Sequence, residues 1–129
     1  MTDTNQPGAT LELIDNIALV TIDDGKANAL SYRLIDAVDQ ALTDAERRGR
    51  AIVIAGRPGA FCAGFDLAEV SQGMDRASAI IGRGGELIRR VFECPLPVVV
   101  AATGHAVAGG AVLLLVSDVR IGADGPWRI

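Results

Sequence analysis

The chain has 129 residues, half of them hydrophobic, 22% charged and only 4% aromatic. That length suits one domain with a core of Ala, Val, Leu and Ile, and the apolar share excludes a disordered chain. Sixteen acids against twelve bases leave a net charge of −4, which argues against a nucleic-acid binder, since such a protein needs a basic footprint.

Lys26 is the only lysine; the remaining bases are arginines. Two cysteines, Cys62 and Cys94, are too few for a disulfide framework, and their spacing suggests no metal site. A reduced, cytoplasmic protein is expected. The start of the chain has no basic and apolar signal segment. The longest apolar stretch, 106–116, is shorter than the roughly 20 residues of a membrane helix. The mean hydropathy of +0.32 is high for a small domain. The chain is therefore expected either to bury surface against copies of itself or to be part of a larger fold.

In chain order, residues 1–9 read as a flexible, frayed start, and 10–129 as the folded domain. Residues 10–14 and 17–22 are β-rich runs around Asp15-Asn16, which predicts a hairpin. Ser31 reads as the N-cap of a helix over 32–48, with Leu34, Ile35, Val38, Ala41, Leu42 and Ala45 on one face. Gly49 ends it, behind Arg47 and Arg48. Residues 51–55 form a buried strand, and the strand–helix–strand spacing predicts parallel pairing. A glycine-rich loop follows over 56–64, then one helical turn over 66–71. A longer helix over 75–93 is interrupted in pattern by Gly82, Gly84 and Gly85 and stopped by Pro95 and Pro97. Residues 98–103 read as a strand covered on both faces, 104–108 as a loop, 109–117 as a very apolar helix and 119–122 as a last strand. The fold class is α/β.

Two strand-to-helix junctions are glycine-rich: Phe61-Cys62-Ala63-Gly64-Phe65-Asp66-Leu67 and Gly104-His105-Ala106-Val107-Ala108-Gly109-Gly110. Ligands of α/β folds sit beyond the carboxyl ends of such strands. Glycine lets a backbone N–H approach a ligand, and a helix start favours negative charge. Two amides converging on one oxygen would make an oxyanion hole, each donor worth about 3 kcal/mol in a transition state. The alternative is a pair of tight turns that use glycine for packing.

Together with Lys26-Ala27-Asn28-Ala29-Leu30 and Ser117-Asp118-Val119-Arg120, these blocks resemble the crotonase (enoyl-CoA hydratase/isomerase) family in order and spacing. The resemblance runs from Thr10 almost to the chain end. It implies a crotonase-like ββα spiral, present as its N-terminal half and truncated on the C-terminal side. It also implies binding of acyl-CoA thioesters and assembly into homo-trimers or hexamers. By position, the oxyanion amides belong to Phe65 and Gly109. Lys26, Ala27, Ala29, Ala63, Gly64, Asp66 and Leu67 would contact CoA or the acyl chain. Lys26 is either a partner of a CoA phosphate or a solvated turn residue. No metal and no cofactor other than substrate-borne coenzyme A is implied.

The departures from the family pattern matter as much. Where hydratases of this family carry a first catalytic Glu, this chain has Val112, which cannot move a proton. The second catalytic Glu of the family would lie beyond Ile129. Val112 is expected in an isomerase-like or divergent member sooner than in a hydratase.

The remaining residues have two readings each. His105 is either a general base or a structural, pocket-lining residue. Cys62 is a nucleophile only if its pKa is lowered; otherwise it is a small filler. Asp66 either orients its loop or touches ligand. Asp118 reads as structural. Arg83, Arg89 and Arg90 face either CoA phosphates or solvent. The leading expectation is an acyl-CoA enzyme that stabilises a thioester oxyanion. A non-catalytic acyl-CoA-binding or partner-binding fragment is the alternative, and an incomplete chain without a function of its own is a third reading.

Overall fold

The computed structural model describes the backbone of residues 2–129 and the side chains of residues 7–129. The chain starts with strand β1 (Thr2–Gln6), antiparallel to β2 (Gly8–Ile14), where a frayed start is expected from sequence. Strand β3 (Ile17–Asp23) returns along β2, with Ile14 opposite Ile17. The connecting Asp15 and Asn16 have φ of 49° and 67°, as a two-residue hairpin of right-handed strands requires. A two-residue strand, β4 (Ala29–Leu30), precedes helix α1 (Tyr32–Arg48), whose N-cap Ser31 accepts from Leu34 N. The apolar face of α1 is buried against the sheet, from Leu34 through Ala45.

Strand β5 (Ala51–Ala55) pairs parallel with β3, Ile17 opposite Ala51. The glycine-rich loop expected at 56–64 contains β6 (Gly59–Cys62) and leads into β7 (Gly64–Phe65). A single turn, α2 (Leu67–Val70), is capped by Asp66. Helix α3 (Met74–Phe92) runs unbroken through its glycines. Strand β8 (Val98–Ala102) pairs parallel with β5. It alternates buried Val98, Val100 and Ala102 with half-buried Val99 and Ala101, so one face is covered where two were expected. Strand β9 (Gly104–Ala106) stands in the predicted loop, then come α4 (Gly109–Val116) and β10 (Val119–Gly122).

The main sheet has the order β1-β2-β3-β5-β8-β10. The two small sheets position the candidate site. Strand β4 pairs with β7, Ala29 opposite Gly64 and Leu30 opposite Phe65. Strand β6 pairs with β9, Gly59 opposite Gly104 and Cys62 opposite Ala106. These pairings draw the three motif blocks to one place. Among the described residues, no helix is long and apolar enough to cross a membrane.

Candidate active site

Both glycine-rich loops turn on backbone conformations that side chains resist. Gly64 has φ of 85°, and a Cβ there would lie 2.8 Å from Ala108 Cβ and 3.1 Å from Gly109 N. The two junctions are thus in backbone contact, and Val107 N donates to Cys62 O at 3.0 Å. Ala108, just before α4, sits at φ 51° and ψ −122°, a region strained for any residue with a Cβ. That strain sets the direction of the next peptide and hence of the Gly109 N–H. Gly109 opens α4, and the first N–H groups of a helix have no intrahelical acceptor. Phe65 lies on β7 across from Leu30, followed by Asp66 N, which donates to Leu30 O. The predicted pair, Phe65 and Gly109, therefore stands side by side.

Lys26, Ala27, Ala29 and Asp66 line one cleft of about 430 Å³, with Arg33 and Asp24 also on its wall. Arg57 Nη1 donates to Lys26 O at 2.6 Å, fixing the turn that carries the lysine. Ala63 and Gly64 lie outside the cleft lining, beneath the loop contact, and Leu67 is 79% exposed on α2. Asp66 accepts from Ala68 N at 3.0 Å, so it both caps α2 and borders the cleft. Arg33 was missed from sequence because its place in α1 reads as an ordinary solvated face.

Asn28 was also missed as a separate feature. It is fully buried at φ 57°. Its side-chain N–H groups donate to Ile22 O, Ala60 O and Phe61 O at 2.8, 3.2 and 3.0 Å, while its Oδ1 accepts from Asp24 N. Its carbonyl accepts from Ala63 N. One side chain thus joins the Lys26 block to the Phe61 block. The positive φ favours Asn over most residues, a signal the sequence carried.

His105 Nδ1 accepts from Arg128 N at 3.0 Å, and its ring meets Trp127 edge-on at 5.3 Å. These contacts tie the 127–128 segment to β9 and favour the structural reading of this histidine. Cys62 is buried, and burial pushes its thiol up to about 11, the opposite of an activated nucleophile. Asp118 Oδ2 accepts from Val98 N at 2.7 Å and is structural. Arg83 pairs with Asp36, Arg89 with Glu93, and Arg90 with Asp39 at 2.7 Å. Those partners hold α3 to itself and to α1, away from the cleft. Val112 lies on α4, 41% exposed.

The family model for enoyl-CoA hydratase/isomerase matches residues 12–127. The chain belongs to that family, with the crotonase fold. It is 34% identical over 115 residues to a protein of Rhodobacter capsulatus described as a probable enoyl-CoA hydratase, covering 88% of this chain and 45% of that one. A similarly described Bacillus subtilis protein is 33% identical over 112 residues, covering 84% and 43%. Among solved structures, an enoyl-CoA hydratase/isomerase family protein from Pseudomonas syringae superposes with a TM-score of 0.88 at 38% identity, covering 93% of this chain and 52% of that one. An enoyl-CoA isomerase of Mycobacterium tuberculosis superposes at 0.84 and 38%, covering 88% and 50%. The chain spans about half the length of these relatives.

Proposed function

We propose that this chain supplies the thioester-binding part of an acyl-CoA enzyme of the hydratase/isomerase type. The observation that carries the proposal is the backbone contact of Gly64 with Gly109, which brings the amides of Phe65 and Gly109 together. In this reading both N–H groups donate to the thioester oxygen. Their bonds strengthen as the oxygen gains enolate charge, and each contributes about 3 kcal/mol to the transition state. The cleft beside Lys26, Ala27, Ala29 and Asp66 takes coenzyme A, with Lys26 and Arg33 as cations for its phosphates. Ala63, Gly64 and Leu67 act through the backbone that joins the cleft to the amides. The substrate brings the coenzyme, and no further cofactor enters the scheme.

Val112 favours double-bond isomerisation over hydration, because α4 offers no carboxylate at this point to activate water. The same valine supports the second reading, a fragment that binds acyl-CoA without turnover. Two free cysteines suit a cytoplasmic setting. The assembly is proposed to be a homo-trimer or hexamer.

Titration calorimetry with acetoacetyl-CoA and with free CoA tests the proposal. Acetoacetyl-CoA should bind at least about a hundredfold tighter, since only it offers an enolate oxygen to the two amides. Equal affinities would overturn the oxyanion reading. Deuterium exchange at the α-carbon of the bound thioester separates turnover from mere binding.

A further inference from the structure

Helix α3 carries two apolar rows, where a helix on the surface of one domain needs one. Ile80, Gly84, Leu87 and Val91 are buried against the core. The second row is Met74, Ser78, Ile81, Gly85, Ile88 and Phe92. Its steps alternate between four and three residues, the repeat of a coiled-coil seam. Arg83 and Arg90, on the opposite side of the helix, pair with Asp36 and Asp39 of α1, so the second row faces away from α1. Met74, Ile81 and Phe92 are 84%, 49% and 70% exposed. The glycines of the two rows differ as the rows do. A Cβ on Gly84 would strike the Phe65 ring, whereas one on Gly82 or Gly85 would meet nothing within 4 Å.

We propose that this row is the contact between two copies of the chain, whose α3 helices pair antiparallel about a two-fold axis. A two-fold contact requires that the surface complement itself, and the row does. Turned end to end about residue 83, it sets Met74 against Phe92, Ser78 against Ile88 and Ile81 against Gly85 of the second copy. Gly85 leaves the hole that Ile81 fills, and this lets the two backbones approach. The same alignment brings charges together on the solvent side of the row. Asp75 in the first turn meets Arg89 in the last turn of the second copy. These two residues lie about 21 Å apart along one helix, so they meet only across copies. The contact is independent of the oxyanion reading and leaves the cleft beside Lys26 open.

Sedimentation velocity of the Ile121→Lys chain tests the contact, because a lysine on exposed β10 blocks growth through that strand edge and lets α3 be read by itself. A discrete dimer should form as concentration rises. Gly85→Leu gives the sharpest reading. Its side chain has open space in one copy but overfills the hole for Ile81 in the pair, so the dimer dissociation constant should rise at least about tenfold. Unspecific adhesion of apolar surface would instead tighten with the added leucine. Asp75→Arg and Arg89→Asp should each weaken the dimer, and a chain carrying both should recover it. A monomer at every concentration, with the row left to some other polypeptide, would overturn the proposal. So would a dimer that tightens in Gly85→Leu, or a double variant no stronger than the single ones.

Discussion

Asn28 ties two chain segments together at this site: its buried side chain satisfies three carbonyls, those of Ile22, Ala60 and Phe61. Asn28→Ala leaves those acceptors buried and unpaired, at about 1–3 kcal/mol for each unsatisfied group. We expect a loss of about 3 kcal/mol in urea unfolding, because partial relaxation recovers some of the total. Asn28→Gly loses the same bonds but accepts φ of 57° without strain, so it should be about 1 kcal/mol more stable than Asn28→Ala. Equal stabilities would show that the bonds alone decide the position. Cys62 makes a second prediction. Its folded pKa of about 11 lies above the ordinary 9.0, so the unfolded chain releases this proton first as pH rises. The stabilising effect is complete below pH 9 and is lost between pH 9 and 11, by about 3 kcal/mol. Cys62→Ala should remove that part of the alkaline decline, as followed by denaturant melts across the range.

At the scale of elements, whatever had a local cause was legible in sequence. The Asp15-Asn16 hairpin, the Ser31 cap and the apolar face of α1 each follow from a few neighbouring residues, and each stands where the sequence put it. Strands β4, β6, β7 and β9 were not legible. They are two to four residues long, too short for alternation to show, and they exist only through distant partners. Read alone, their residues look like loop. The glycine pattern still marked the two junctions, because a forced φ at Gly64 and close backbone approaches at Gly104 and Gly110 leave a local signature even where the pairing does not. It could not tell Gly84 from Gly82 and Gly85, since only the position of the Phe65 ring distinguishes them. Ser31→Ala should cost about 1 kcal/mol through loss of the α1 cap, read as a lower melting temperature. Ala108→Gly should stabilise the chain by about 1 kcal/mol by relieving its strained φ. If Ala108→Gly instead destabilises, packing of its methyl over Gly64 outweighs the strain.

At the scale of the whole molecule, the high mean hydropathy finds its place at one edge of the sheet. Among the described residues strand β10 pairs only with β8, and Val119 and Ile121 on it, with Leu115 on α4, are 49%, 56% and 66% exposed. An open edge with apolar side chains promotes association. Sedimentation velocity should show concentration-dependent self-association that Ile121→Lys suppresses, and a monomer at all concentrations would contradict this. The cleft and the two junctions are joined by the small sheets and by Asn28.

In the proposed function two backbone amides, of Phe65 and Gly109, hold the thioester oxygen. Gly109→Pro tests it most directly. Proline is accommodated at the first position of a helix, yet it deletes the one N–H in question. Calorimetric titration with acetoacetyl-CoA should show saturable binding to the wild-type chain and an affinity lowered about a hundredfold in a folded Gly109→Pro variant. Equal affinity in the two proteins would contradict the account, because the oxygen would then be held by something other than the α4 amide.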